Sequence, residues 1–487
     1  MTWYKMNQYD VWSLVHTIDQ SHFAEGLNHN DERVRKHIAK QIGVLRDITQ
    51  VNNLIEAITE EQDFDVRYEI IMALTRIGEP VVLPLMRGLT DENANVRRAA
   101  AQCLGGMGCV AAIGNLCTST GDQNPIVRKA AVQALGRIGI LNDDVEARVL
   151  TCLKDDDERV VLNAIFASGY LGCTAAVPRL IAQLDDLSLP FRGFIVEILG
   201  EIGDDRATGR LCQMLAENNG MAESVFTLDS GERGQQIIEA LGKIADPRAV
   251  QHVIQALIFC VINDDNNQDC DAEDGCTVMR DDEQGCDNLA VIREHIHEAL
   301  TRIGEPAIPP LIETLREWAD SEDDNTCSCC HLSVASEICS ILSEFGPLGV
   351  ETALKLLGDE KASVRKLAVK FFSEERLDEK RVLDALVACM INDSDEKVKT
   401  LASYRLVDGG PKSFEAIVSA VGQLHRPFMV AERDAIRMIG AEALFNLARC
   451  LDDPDERKRR ESLDAIRELI NSSPPLSGMA GLGALFG

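Results

Sequence analysis

Aromatic residues are scarce in this 487-residue chain: tryptophan, tyrosine and phenylalanine together make up 5%. Histidine is limited to nine residues, which narrows the scope for acid–base chemistry. Positive charge is in deficit, with 49 Lys and Arg against 79 Asp and Glu, a formal net charge of −30. That balance argues against nucleic acid as a partner, because phosphate backbones select basic faces. No run approaches the ~18 apolar residues that a membrane span needs. The opening MTWYKMNQYDVW lacks the basic-then-apolar layout of a secretory signal, so a cytoplasmic protein is expected. Phosphate loop, nucleotide fingerprint and nucleophile elbow are all missing. Apolar residues nevertheless reach 45%, too many for a disordered acidic chain.

What is present is a repeat. The segments DERVRKHIAKQIG, DFDVRYEIIMALTRIG, NANVRRAAAQCLGGMG, NPIVRKAAVQALGRIG, ERVVLNAIFASGYLG and LPFRGFIVEILGEIG share one layout. A polar turn leads to a branched or aromatic residue, usually followed by a base, and then to an apolar stripe ending in glycine. The closing glycines Gly43, Gly78, Gly108, Gly139, Gly172 and Gly203 are spaced 35, 30, 31, 33 and 31 apart. A period near 30 residues marks stacked supersecondary units in place of one compact core. Within a unit the apolar residues recur three and four apart, as in Val66, Ile70, Ala73, Leu74 and Ile77, which is helical spacing. Each closing glycine suits a left-handed residue that ends a helix. A second amphipathic helix follows, for example Val81–Leu89 and Ala307–Leu315, and Asp91, Asp155 and Asp186 mark the return turns. One such hairpin cannot bury its own apolar face, so the units must stack.

The basic residue after the branched one recurs at Arg35, Arg67, Arg97, Arg128, Arg192, Arg293, Arg365 and Lys399. The expected role is structural, bonding Asp or Asn of adjacent turns and stitching unit to unit. Cys103, Cys152, Cys212, Cys260, Cys389 and Cys450 sit in apolar helical pattern and are expected to be small core residues.

These cores, most of all Asp65–Asp91 and Ile126–Gly139, resemble the HEAT-like repeats of the E–Z, phycobilisome lyase type, over nearly the whole chain. The resemblance implies an all-α solenoid, a right-handed superhelix of about thirteen hairpins with second helices lining its inner face. It divides the chain into an aromatic cap at 1–29 (Trp3, Tyr4, Tyr9, Trp12 and Phe23), repeats at 30–262, 291–320 and 332–471, insertions at 263–290 and 321–331, and an uncharged Gly/Pro tail at 472–487. It also implies an enzymatic alternative, the attachment or removal of bilins, although no bilin pocket is apparent in the sequence. His297-Glu298 resembles one of the His-Glu pairs of deoxyhypusine hydroxylase, a HEAT-repeat di-iron enzyme. That family needs several such pairs and this chain has one, so His297 is expected on a helix surface, on a different face from His295.

The two insertions concentrate unusual chemistry. The first carries ten acidic residues between Asn263 and Asn288 with Cys270, Cys276 and Cys286, and the second carries Cys327, Cys329, Cys330 and His331. Both follow the second helix of a unit, so in a solenoid they emerge on one edge about 10 Å apart. Six thiolates and an imidazole there could hold zinc or an iron–sulfur cluster, although the spacings match no standard signature. The Asp-rich run at 269–275 has its glycine misplaced for a calcium loop. In the tail, Leu482, Leu485 and Phe486 are candidate partner-binding residues, offered as a docking peptide.

The functional expectation is a non-catalytic adaptor, or an assembly or maturation factor, that holds another protein or protein complex along the concave face, a partner with a basic patch to complement the −30 charge. A metal- or cluster-dependent redox accessory protein is the second reading, and the bilin lyase the third. Convergence of the insertions predicts that protein purified without oxygen carries zinc or iron, and that a variant lacking Cys327, Cys329 and Cys330 loses it. Equal metal in both by elemental analysis removes the idea.

Overall fold

The computed structural model describes residues 22–186, 191–219, 228–265, 283–321, 333–372, 376–377, 379–408 and 416. All regular structure among the described residues is helical. The chain divides into two compact units, Met1–Ala249 and Val250–Gly487.

In the first unit the helices are α1 (Phe23–Leu27), α2 (Glu32–Leu45), α3 (Val51–Glu60), α4 (Phe64–Ile77) and α5 (Val82–Gly88). They continue as α6 (Ala94–Gly106), α7 (Ile113–Ser119), α8 (Pro125–Ile138), α9 (Asp143–Cys152) and α10 (Glu158–Tyr170). The unit ends with α11 (Val177–Leu184), α12 (Arg192–Ile202), α13 (Thr208–Asn219) and α14 (Leu228–Ile244). First helices (α2, α4, α6, α8, α10, α12, α14) alternate with second helices, most of them shorter and several entered through a single 3-10 turn such as Glu79–Val81. The second unit repeats the scheme with α15 (Val250–Asp265), α16 (Glu283–Ile303), α17 (Ile308–Trp318) and α18 (Val334–Glu344). It continues through α19 (Pro347–Leu356), α20 (Ala362–Phe371), α21 (Lys380–Asn392) and α22 (Glu396–Asp408).

Local sequence sets these boundaries. Asp31, Asp63, Asn93, Asn124 and Asp157 are N-caps, each accepting a backbone N–H of the first helical turn. Such a cap contributes roughly 1 kcal/mol by satisfying a donor the helix itself cannot. The capping residue lies two positions after Asp91 and Asp155, whose carboxylates instead accept from Asn93 N and Asp157 N inside the turn. Gly139 and Gly203 close their helices in left-handed conformation, at φ 70° and ψ 21–22°. Ala245 adopts the same conformation at φ 56° where the repeat has no glycine.

Gly43 departs from expectation. Helix α2 runs through it to Leu45, and Arg46 is the left-handed residue at φ 51°. Counted from Arg46, the first interval to Gly78 is 32 instead of 35, which brings it into line with the others. Gly43 serves helix packing: a Cβ there would lie 2.7 Å from Ala73 Cα on α4. The same crossing recurs for Gly105 against Ala134 and Gly136 against Ala167, at 2.5 and 3.0 Å. First helices therefore approach one another at backbone distance, leaving room only for Gly and Ala at the crossings.

The basic ladder supplies the other link between units. Arg128 donates from Nε and Nη2 to both Asp155 carboxylate oxygens at 2.7 Å, while Nη1 donates to the carbonyls of Asp122 and Gln123. Arg97 makes the same fork on Asp122 and Arg365 on Asp393, and Arg35 does so on Glu61. Each of these arginines thus ties its own return turn to the next one. The Arg97 and Arg128 guanidiniums hold the Asp122 and Asp155 carboxyls below the usual carboxylate range. That contribution is present above pH ~4 and is lost as pH falls through the lowered value. Arg192 instead donates to the Leu184 carbonyl, Arg293 lies 3.9 Å from Glu337, and Lys399 bonds Glu396 within its own first turn. Arg67 comes no nearer than 3.5 Å to the Glu61 carbonyl.

Cys103, Cys152, Cys212 and Cys260 are buried as expected. Burial pushes the Cys103 and Cys152 thiols up to about 12, so they are inert core groups at neutral pH. Cys389 is only half-buried, but burial, with the Asp393 charge adding to it, still raises its thiol to about 11. Cys450 and the cap aromatics Trp3, Tyr4, Tyr9 and Trp12 lie outside the described residues, whereas Phe23 is buried at the start of α1.

Arg128 and Asp155 are 18% and 11% exposed, so solvent still reaches the edge of their pair. Replacing Arg128 with Met is expected to cost about 2 kcal/mol, between the roughly 1 kcal/mol of an exposed pair and the roughly 3–5 kcal/mol of breaking a fully buried one. The loss should appear as faster amide exchange in α8, α9 and α10. Arg159, whose pair with Asp157 is local and exposed, should tolerate the same change with unaltered exchange.

Candidate functional site

Several large side chains on the first helices of the first unit are exposed. Phe64 is 74% exposed, Tyr68 54%, Ile126 40%, Tyr170 70% and Phe194 44%. Phe64 and Tyr68 are one turn apart on α4 and so share a face. Phe166 on α10 packs against Phe194 on α12 with ring centroids 5.3 Å apart, and Tyr170 follows one turn after Phe166. A Cβ at Gly136 on α8 would lie 3.6 Å from the Tyr170 ring, so the row passes from α12 and α10 toward α8. The described tyrosines Tyr68, Tyr170 and Tyr404 are all on first helices and all exposed. Exposed rings on one face are typical anchors for a protein partner.

Between α4, α6 and α8 this face sinks into a groove of about 310 Å³. Its lining has Phe64, Tyr68 and Ile126 beside Arg67, Arg98, Lys129 and Arg137, and no acidic residue. Arg98 donates from Nη2 to the Thr59 carbonyl at 3.3 Å, while its Nε is shielded from solvent without a hydrogen-bond partner. Burial lowers the Arg98 pKa, and the neighbouring Arg67 charge lowers it further. The signals in the sequence are the doubled bases Arg97-Arg98 and Arg128-Lys129. The first of each pair enters the ladder and the second lines the groove.

A second polar cluster lies in the second unit between α16 and α18. His297 is 15% exposed, which corrects the expectation of a surface residue. Its Nε2 lies 2.9 Å from Glu337 Oε2 and its Nδ1 2.7 Å from Glu344 Oε1, and Thr301 donates to the other Glu344 oxygen. Both ring nitrogens face carboxyl groups, and with those ionised only the doubly protonated imidazolium donates to both. Burial pulls the His297 pKa down, but the Glu337 and Glu344 carboxylates outweigh it and the net direction is up. His295 points elsewhere, to the Val291 carbonyl, as its two-residue offset predicts. Among the described residues no group of three or more His, Cys, Asp or Glu is placed to hold a metal ion.

Of the predicted metal ligands, Cys270, Cys276, Cys327, Cys329, Cys330 and His331 lie outside the described residues, and so do Leu482, Leu485 and Phe486. Cys286 is on α16, but its side chain is not described. Among the described residues no helix is long and apolar enough to cross a membrane.

The family pattern described as HEAT repeats matches residues 21–93 and 82–165, and that of the PBS lyase HEAT-like repeat matches 235–259. The chain is a HEAT-like repeat protein. No curated protein matches this HEAT-repeat chain significantly. Among solved structures, Kap121p is similar at 14% identity over 95% of this chain and 49% of its own, with a TM-score of 0.45. Yeast importin-β (Kap95p) is 12% identical over 95% and 70% of the two chains, with a TM-score of 0.48. The E. coli protein YibA is 20% identical over 50% of this chain and 99% of its own, with a TM-score of 0.33. The HEAT-repeat chain spans about half the length of Kap121p.

The pH dependence of the α16–α18 contact follows from His297. A raised histidine pKa stabilises the fold fully below the unfolded value near 6.5 and ceases to do so as pH rises through the folded value. An NMR titration should place His297 above 6.5, and the amide protection of α16, corrected for the intrinsic exchange rate, should fall as pH rises above about 6.5. His297→Gln should abolish that pH dependence. A His297 titrating below 6.5 contradicts the double-carboxylate clamp.

Proposed function

We propose that the chain is a non-catalytic scaffold that holds another protein against the first-helix face of its first unit. The observation that carries this is the row Phe64, Tyr68, Tyr170 and Phe194, left exposed in a chain where aromatics make up only 5%. Isolated exposed apolar residues are ordinary, but rings on first helices α4, α10 and α12, with Ile126 exposed on α8 between them, offer modest contacts that add along the stack. On this reading the partner sits on the first helices, whereas the repeat pattern by itself suggests the second-helix, concave face. Elsewhere on the surface the −30 charge favours a partner with basic patches and a salt-sensitive association, as expected for an assembly or maturation factor. The accessory-protein alternative, with zinc or a cluster on the insertion cysteines, rests on residues outside the described ones.

The test is quantitative co-purification with the full chain. Phe64→Ala/Tyr68→Ala and Tyr170→Ala/Phe194→Ala should each lose a partner retained by the wild type, by tenfold or more if the rings are anchors worth about 1.4 kcal/mol or more together. Leu83→Ala removes an equally exposed apolar side chain from second helix α5 and should retain it. Identical recovery from all four proteins removes the proposal.

A further inference from the structure

The groove between α4, α6 and α8 inverts the charge of the molecule around it. In a chain of net charge −30, its lining carries Arg67, Arg98, Lys129 and Arg137 and no carboxylate. Arg67 occupies a ladder position, yet among the described residues it has no carboxylate fork of the kind that Arg35, Arg97, Arg128 and Arg365 each make. Beside it the Arg98 Nε is shielded from water with no acceptor. Two neighbouring guanidiniums without a counter-charge are costly, and an anion entering the groove would offset their mutual repulsion.

We propose that this groove binds an acidic peptide segment of the partner protein, its carboxylates on Arg67, Arg98, Lys129 and Arg137 and an apolar side chain against Phe64 and Tyr68. The inference rests on the scaffold reading and names the chemistry that one part of the face selects. Three first helices at packed spacing span about 20 Å. At about 3.3 Å per residue that is the reach of roughly six extended residues, too long for a single small anion to engage all four cations. Arginine forks favour planar carboxylates bidentately, and the rings beside them supply an apolar contact that a bare phosphate cannot use. A nucleic acid strand would have to leave the groove across a strongly acidic surface, which repels its backbone.

Fluorescence anisotropy with the full chain tests this, using a labelled peptide of roughly twelve alternating Glu and Leu residues. A neutral Gln-for-Glu counterpart and a single-stranded DNA oligonucleotide of similar length serve as competing probes. The Glu peptide should bind saturably, the Gln peptide at least tenfold more weakly, and binding of the Glu peptide should fall between about 50 and about 300 mM salt. Lys129→Glu/Arg137→Glu should weaken the Glu peptide tenfold or more, whereas Lys355→Glu, a reversal in the second unit, should not. Arg98→Gln, milder than reversal at a half-buried site, should weaken it severalfold with an unchanged circular dichroism spectrum. Equal binding of the two peptides, indifference to the double reversal, or tighter binding of the oligonucleotide overturns the proposal. If the Glu peptide fails while the ring substitutions still abolish protein capture, the groove assignment falls and the scaffold stands. If the peptide binds as expected and the ring substitutions spare capture, the scaffold face falls and the groove assignment stands.

Discussion

The guanidinium fork that joins one return turn to the next is the constraint on which the stack depends. A hairpin of two short helices leaves an apolar face bare and gains stability only when its neighbour covers it in one register. Arg97, Arg128 and Arg365 impose that register with a planar donor set. One edge of each reads the carbonyls of its own turn and the other edge reads a carboxylate 25 to 28 residues onward. The accepting Asp122 or Asp155 also holds a backbone N–H in its own turn, so side chain and turn are ordered together. Lysine cannot substitute, being a point charge on a flexible stem. At the equivalent position Lys399 bonds Glu396, three residues away in its own helix.

The close crossings of the first helices follow from the same register. With turns fixed by the forks, the helices between them meet where Gly105 faces Ala134 and Gly136 faces Ala167. Small residues inside leave large ones to the outside, which is where Phe64, Tyr68 and Tyr170 stand. The candidate interaction face is thus a consequence of tight packing behind it. Its groove forms where one arginine of the ladder, Arg67, lies beside a second base, Arg98, and not on a carboxylate.

Much of the fold is legible in the residues themselves. Helical periodicity, capping Asp and Asn, the left-handed Gly139 and Gly203 and a structural role for the ladder are local or strictly periodic signals, and the packing agrees with them, whereas Gly78 ends its helix at φ 83° and ψ −139°, outside the left-handed helical region. Gly43 misleads because a capping glycine and a crossing glycine both follow an apolar stripe, and only the distance to Ala73 tells them apart. His297 misleads because the residues that bury and charge it, Glu337 and Glu344, are 40 and 47 positions away. The groove has no signature in the linear pattern because its lining comes from three helices, each ordinary by itself.

The amino-acid sequence by itself determined the repeat, the helical class of its elements, their caps and most of the arginine ladder. These rest on interactions within one turn, or at a constant offset that a period makes visible. Only the tertiary structure decided which glycines touch a neighbouring helix, which arginine lacks its carboxylate, and which rings face outward together. Those outcomes depend on distances between residues in different hairpins. Stacking brings such residues within a few ångströms, and no local spacing encodes that separation.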